Sequence, residues 1–174
     1  MKLFITVLIL TLFGLSVSTA QTVLKAGDKA PLFVGKDQDG KTVSLKKLCG
    51  DKKIVLLYFY PKDNTPGCTK EACGFRDRLG VLQRDNVEVI GVSFDSAESH
   101  KQFIAQYKLN FRLLSDPDGK IVDVYGGQVV GRKMARRVSF LIGLDGKIVH
   151  VTDSGNPDVH FNEMKDALAG LKKK

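Results

Sequence analysis

The run Ile54-Val55-Leu56-Leu57-Tyr58-Phe59-Tyr60 is apolar or aromatic at every position and shows no alternation. A segment of that kind must be covered on both faces, which is the pattern of a central strand with helices packed above and below it. After a loop from Pro61 to Gly67, Ala72, Phe75, Leu79 and Leu82 recur at helical spacing, and Val87 to Phe94 is strand-like again. This strand, helix and strand form a parallel βαβ unit. A further helix is expected from Ala97 to Tyr107, with Phe103, Ile104 and Tyr107 on its apolar side. A short strand from Phe111 to Leu114 follows, closed by the turn cluster Ser115-Asp116-Pro117-Asp118-Gly119.

Val138 to Leu144 and Ile148 to Val151 flank Asp145-Gly146, a dipeptide that tolerates positive φ and so predicts a tight hairpin. Phe161, Met164, Leu168 and Leu171 fall on one face of a closing helix. Ahead of the central strand, Asp37-Gln38-Asp39-Gly40 reads as a turn and Lys41 to Leu48 as a short polar segment. Parallel units followed by an antiparallel hairpin and a last helix predict an α/β chain. The expected architecture is a thioredoxin-like three-layer sandwich with a central mixed β-sheet, in one domain.

Lys2 is followed from Leu3 to Val17 by a stretch without a charge, closed by Ser18-Thr19-Ala20. A positive residue, an apolar core and small residues at a cleavage point are the three parts of a secretory signal peptide. The reading is therefore 1–20 as a signal peptide and 21–174 as the domain, exported to a periplasmic or secreted location. A retained anchor is the other possibility, but Thr6, Thr11, Gly14 and Ser16 interrupt the run, which falls short of the ~20 mostly apolar residues that cross a bilayer. Stable membrane association after cleavage is not expected.

The chain carries 27 Lys and Arg against 19 Asp and Glu. A basic balance attracts nucleic acid or anionic surfaces only where the charge is clustered. Arg132-Lys133-Met134-Ala135-Arg136-Arg137 is one cluster, and Lys172-Lys173-Lys174 reads as a solvated tail. No nucleic-acid partner is implied.

Three cysteines are an odd number for an exported chain, which favours a reactive thiol over a purely structural disulfide framework. Thr65-Pro66-Gly67-Cys68 has the order of an N-cap, a proline at the first helical position and a cysteine in the first turn. Unpaired N–H groups and the positive end of the helix dipole stabilise a thiolate there. Cys73 lies five residues on. In an ideal helix that separation puts the two Cα atoms roughly 8.6 Å apart, whereas a disulfide needs less than about 7 Å. The pair can join only if the first turns unwind, and Gly74 lowers the cost of such melting.

The segment from Phe59 to Asp77, with Pro61, Thr65 and Cys68 in the spacing of the family motif and Cys73 five residues beyond, resembles the active-site segment of the peroxiredoxins. It is most similar to the subfamily called bacterioferritin comigratory protein or peroxiredoxin Q. Gly27-Asp28-Lys29-Ala30-Pro31, Asp95 to His100, Leu113 to Asp116 and Arg137 to Ile142 agree with it. The resemblance implies a thiol peroxidase that needs no cofactor or metal and acts on hydrogen peroxide or an alkyl hydroperoxide. Cys68 would be the peroxidatic cysteine and Cys73 the resolving one, forming an intramolecular disulfide that thioredoxin or a similar dithiol protein reduces. Thr65 would hydrogen-bond the sulfur and a peroxide oxygen, Arg137 would supply positive charge, and Pro61 would shield the pocket. Subfamily analogy implies a monomer.

Arg136 competes with Arg137, because neighbours on a strand point to opposite faces, and the family register favours Arg137. Glu71 reads either as orienting the site or as a helix-dipole partner. Cys49 matches no family position and reads as a bystander. His100, His150 and His160 show no metal-ligand spacing and read as surface or helix-flank residues. Two other functions fit parts of the sequence. An exported thiol-disulfide oxidoreductase shares the fold, but its Cys-x-x-Cys is absent; a basic non-enzymatic binding module accounts for the charge and leaves the cysteines unexplained.

Overall fold

The computed structural model describes residues 24–82 and 86–171, and of residues 79–82 the backbone alone. The signal peptide expected at 1–20, the Leu79 and Leu82 side chains of the expected apolar stripe and the tail at 172–174 lie outside the described residues. Strand β3 (Ile54–Phe59) is the apolar run, and its two faces are buried in two separate cores. Val55, Leu57 and Phe59 join Leu45 and Leu48 of α1 (Leu45–Gly50) and Ile121 and Val122 of α4 (Lys120–Val124). Leu56, Tyr58 and Tyr60 face the other way. They pack with Phe75 of α2 (Pro66–Leu82), Phe103 of α3 (Ala97–Tyr107), and Phe161 and Met164 of α5 (Pro157–Leu171). Period-two alternation along one buried strand thus makes the three layers.

The described strands form one mixed sheet in the order β2-β1-β5-β4-β3-β6-β7. Here β1 is Val34–Asp37, β2 Thr42–Ser44, β4 Val87–Ser93, β5 Arg112–Ser115, β6 Val138–Ile142 and β7 Ile148–Asp153. β3, β4 and β5 are parallel, β6 and β7 run antiparallel on one side, and β1 and β2 run antiparallel on the other. The register of β3 on β6 pairs Phe59 with Val138 and Tyr58 with Ser139. This is the thioredoxin-like sandwich expected from the segment order. No helix among the described residues is long and apolar enough to cross a membrane.

Departures from the sequence reading have local causes. The hairpin strand ends at Ile142, because the Gly143 N–H already turns to the Lys147 carbonyl; Gly146, with φ +75°, completes the turn. The cluster at Ser115 to Gly119 is also the start of α4, since buried Asp116 accepts the N–H groups of Ile121 and Val122 through Oδ2, each at 2.8 Å. The polar segment at Lys41 to Leu48 divides into β2 and α1, with Val43, Leu45 and Leu48 supplying its buried side.

Candidate active site

The loop between β3 and α2 lies at the carboxyl ends of the parallel strands, where open α/β sheets place their ligands. Buried polar groups hold it. Asp63 accepts from the Tyr60 hydroxyl (2.7 Å) and the Ser99 hydroxyl (2.7 Å), and its N–H donates to Asp95 Oδ2 (2.9 Å). His100 Nδ1 lies 2.8 Å from Asp63 Oδ2, while Nε2 faces the Leu114 carbonyl at 3.2 Å. Burial alone would raise the Asp63 carboxyl; the His100 hydrogen bond and charge, helped by Ser99 and Tyr60, outweigh it and hold the group below its ordinary value.

Thr65 precedes α2, its carbonyl accepting the Thr69 N–H at 2.8 Å, and Pro66 opens the helix. The Thr65 hydroxyl donates to the Lys62 carbonyl at 3.1 Å. Cys68, in the first turn, is 1% exposed. Cys73, on the same continuous helix, is half-buried, and both are free thiols. Pro61 and Lys62 line, with Phe94, Asp95, Lys133 and Met134, a cavity of about 280 Å³.

Register delivers the cation. Because Phe59 pairs with Val138, the residues just before β6 reach the end of β3, and alternation separates the two arginines. Arg137 turns in: Nη2 lies 3.4 Å from Cys68 Sγ, and Nη1 donates to Glu71 Oε2. Arg136 turns out to Asp153, at 2.9 Å. Gly67 leaves room for this guanidinium, since a Cβ there would come 3.1 Å from Arg137 Nη2. Glu71 is fully buried, and burial pushes its carboxyl up to about 7 even with Arg137 beside it. Its carboxylate lies against the Arg137 guanidinium.

Two histidines correct the sequence reading. His100 and His160 are both 0% exposed, and only His150, bound to Glu163 at 3.0 Å, keeps a partly exposed position. The signal was present: His100 precedes Phe103 by three and Ile104 by four, and His160 precedes Met164 by four, so each falls on the apolar face of its helix. Each is buried because both ring nitrogens find partners. For His160 these are Ser139 Oγ at 2.8 Å and the Ser154 carbonyl at 2.9 Å. Cys49 packs at the edge of the opposite core, where burial raises its thiol.

Comparison with known proteins agrees with this geometry. The model of the AhpC/TSA family matches residues 26–151. Peroxiredoxin Bcp of Escherichia coli (strain K12) is 44% identical over 155 residues, covering 82% of this chain and 97% of its own. The chloroplastic peroxiredoxin Q of Sedum lineare is 40% identical over 153 residues, 84% of this chain and 78% of its own. Among solved structures, peroxidoxin BcpB from Mycobacterium tuberculosis superposes with a TM-score of 0.77 at 33% identity, over 86% of this chain and 97% of that one. A family match across most of the chain, joined to identity at this level, means that the chain belongs to the AhpC/TSA family and is a peroxiredoxin, a thiol peroxidase.

Proposed function

We propose that Cys68 is the thiol that meets the peroxide and that Cys73 resolves it. The observation that carries this reading is the Arg137 Nη2 to Cys68 Sγ distance of 3.4 Å, with the sulfur buried at a helix N-terminus. The cation and the helix end both favour the thiolate over the thiol. The sulfur attacks the terminal oxygen of ROOH, an S–O bond forms as the O–O bond breaks, and RO⁻ leaves and takes a proton. Sulfur gives up two electrons and becomes a sulfenic acid. Arg137 then faces both the sulfur and the oxygen on which negative charge grows.

In the second step the Cys73 thiolate attacks the Cys68 sulfur, an S–S bond forms, and hydroxide leaves as water. A dithiol protein of the thioredoxin kind closes the cycle by exchange. Thr65 enters when peroxide binds, its hydroxyl turning from the Lys62 carbonyl toward the peroxide oxygen, and Pro61 keeps bulk water from that side. The cavity beside Pro61 has room for an organic substituent, which supports alkyl hydroperoxides as well as hydrogen peroxide. Alkyl peroxide reduction is the activity ascribed to the solved bacterioferritin comigratory protein of Xanthomonas campestris, which is 25% identical to this chain.

The leader sequence supports export, and the family match begins beyond it, at residue 26. An exported enzyme works in an oxidising compartment, so its reductant is an exported dithiol protein or a relay across the membrane. Resolution within one chain supports a monomer.

The test is a single turnover: reduced protein without its leader is mixed with limiting hydrogen peroxide, and peroxide and thiols are counted. Two thiols lost for each peroxide consumed supports the cycle, and Cys68→Ser abolishes it. A rate no faster than that of free cysteine refutes it. Mass analysis of the chain isolated from the exported fraction tests removal of residues 1–20.

A further inference from the structure

His160 is fully buried beside the site, yet no step of the peroxide cycle uses it. Its Nε2 lies 2.9 Å from the Ser154 carbonyl, which only accepts, so Nε2 carries a hydrogen. The other nitrogen, Nδ1, is 2.8 Å from Ser139 Oγ and 3.7 Å from Glu71 Oε1. Glu71 Oε2 is taken by Arg137, but Oε1 is buried with no hydrogen-bond partner among the described residues. Nδ1 is already served by Ser139 Oγ, so across 3.7 Å the ring and Oε1 act on each other through charge: a proton on the carboxyl removes the Glu71 anion and one on the ring offsets it.

We propose that His160 is a positioning residue for the reacting thiol, acting through Glu71 and Arg137. With a proton held by either His160 or Glu71, the Arg137 charge is left for the Cys68 sulfur; with neither protonated, the Glu71 carboxylate takes up much of that charge. The inference rests on Cys68 being the reacting thiol.

The groups facing the pair are few. Arg137 arrives from the segment before β6, Cys68 from α2 and Tyr58 from β3, whose hydroxyl burial drives well above its ordinary value and so keeps neutral. Asp153 of β7 and Glu163 of α5 also act on His160. Asp153 is engaged by Arg136, and Glu163 by Thr152 and His150. Burial pushes Glu71 up to about 7, so its proton is exchanged near neutral pH, while burial lowers His160. The line Cys68, Arg137, Glu71, His160 is therefore the route by which a charge change at one end is felt at the other.

Linkage makes the effect reciprocal: if His160 acts on the sulfur, the sulfur acts on His160. The ring ¹⁵N resonances of His160, assigned through bonds, are followed against pH in Cys49→Ser/Cys73→Ser protein with and without the further change Cys68→Ser. Removing the sulfur anion lowers the His160 titration by about half a pH unit, a threefold change in proton affinity, and Glu71→Gln removes that difference. In parallel, the rate of Cys68 alkylation by iodoacetamide against pH shows a step near neutral pH that Glu71→Gln abolishes and His160→Asn displaces. A His160 titration indifferent to Cys68→Ser overturns the proposal, as does an alkylation profile unmoved by His160→Asn in folded protein. Should His160→Asn fail to fold, the resonance comparison decides alone, because it leaves His160 unchanged. Iodoacetamide is the probe instead of peroxide, so a protein unable to reduce peroxide fails the single-turnover test and still reports on this coupling.

Discussion

The Phe161 ring of α5 lies against the backbone of Gly74 in α2 so closely that a Cβ built on Gly74 would sit 2.0 Å from Phe161 Cζ. The same ring meets Phe75 edge-on at 5.1 Å, and Arg78 lies over it at 4.6 Å. The glycine next to Cys73 is thus a packing requirement as well as a weak point in the helix. Gly74→Ala gains about 1 kcal/mol of helix propensity and costs about 3 kcal/mol in overpacking. The expected outcome is a net loss of about 2 kcal/mol, read from urea denaturation. A neutral or stabilising effect would show that α5 can withdraw freely.

Arg137 and Arg136 are adjacent in sequence and opposite in role, so they form a matched test. Arg137→Ala is expected to slow the reaction with peroxide by about 10²–10³-fold, the usual effect of removing a donor aimed at developing negative charge. Glu71, already raised to about 7 with Arg137 in place, takes up a proton when the cation is gone, which limits the loss of stability. Arg136→Ala, which removes a partly exposed ion pair with Asp153, is expected to change the rate by less than about threefold. Stopped-flow measurement of both variants decides, and equal losses would remove Arg137 from its assigned place.

The Asp63 and His100 pair makes a prediction about acid. The Asp63 carboxyl titrates lower in the fold than in the unfolded chain, whose value is about 3.9. Its contribution is therefore complete above that value and is lost as pH falls through the lower folded value, where the native state must take up a proton. Asp63→Asn is expected to cost about 3 kcal/mol at neutral pH, because it strips a buried partner from His100. It is also expected to flatten the loss of stability below about pH 4. Denaturant titrations between pH 3 and 7 check both, and an unchanged acid slope would refute the assignment.

What the sequence could and could not show follows from distance along the chain. β3, α3 and the closing hairpin were legible because burial on both faces, helical periodicity and an Asp-Gly turn are local properties. So was the candidate thiol, placed by Pro66 and the helix start. Burial of His100 and His160 was legible on the apolar faces of their helices and was not read; what the sequence lacks is their distant partners, Asp63, Leu114 and Ser139, which only the tertiary fold brings to them. Arg137 was chosen over Arg136 from the sequence through the family resemblance alone; the physical reason for the choice is the register of β6 on β3. The close packing at Gly74 needed the position of α5, which the sequence of α2 does not contain.

Joining Cys68 to Cys73 must disturb more than the helix that carries them. Their Cα atoms, roughly 8.6 Å apart on a helix, have to approach within about 7 Å, so α2 opens between Pro66 and Gly74. That stretch is where the first turns of α5 hold on, through Lys70 with Asp158, Glu71 with His160, and Gly74 under Phe161. Phe75 and Arg78, beyond the cysteines, keep their own contacts with Phe161. Oxidation is therefore expected to raise amide hydrogen exchange at residues 69–78, whose helical N–H groups donate to the carbonyls of 65–74, and, in step with it, at 157–161. Comparing reduced and peroxide-treated protein by mass spectrometry checks this, with Cys73→Ser as the control that forms no such bond and shows no change at 157–161. Full protection of 69–78 in the oxidised chain would mean that Cys68 pairs with something other than Cys73.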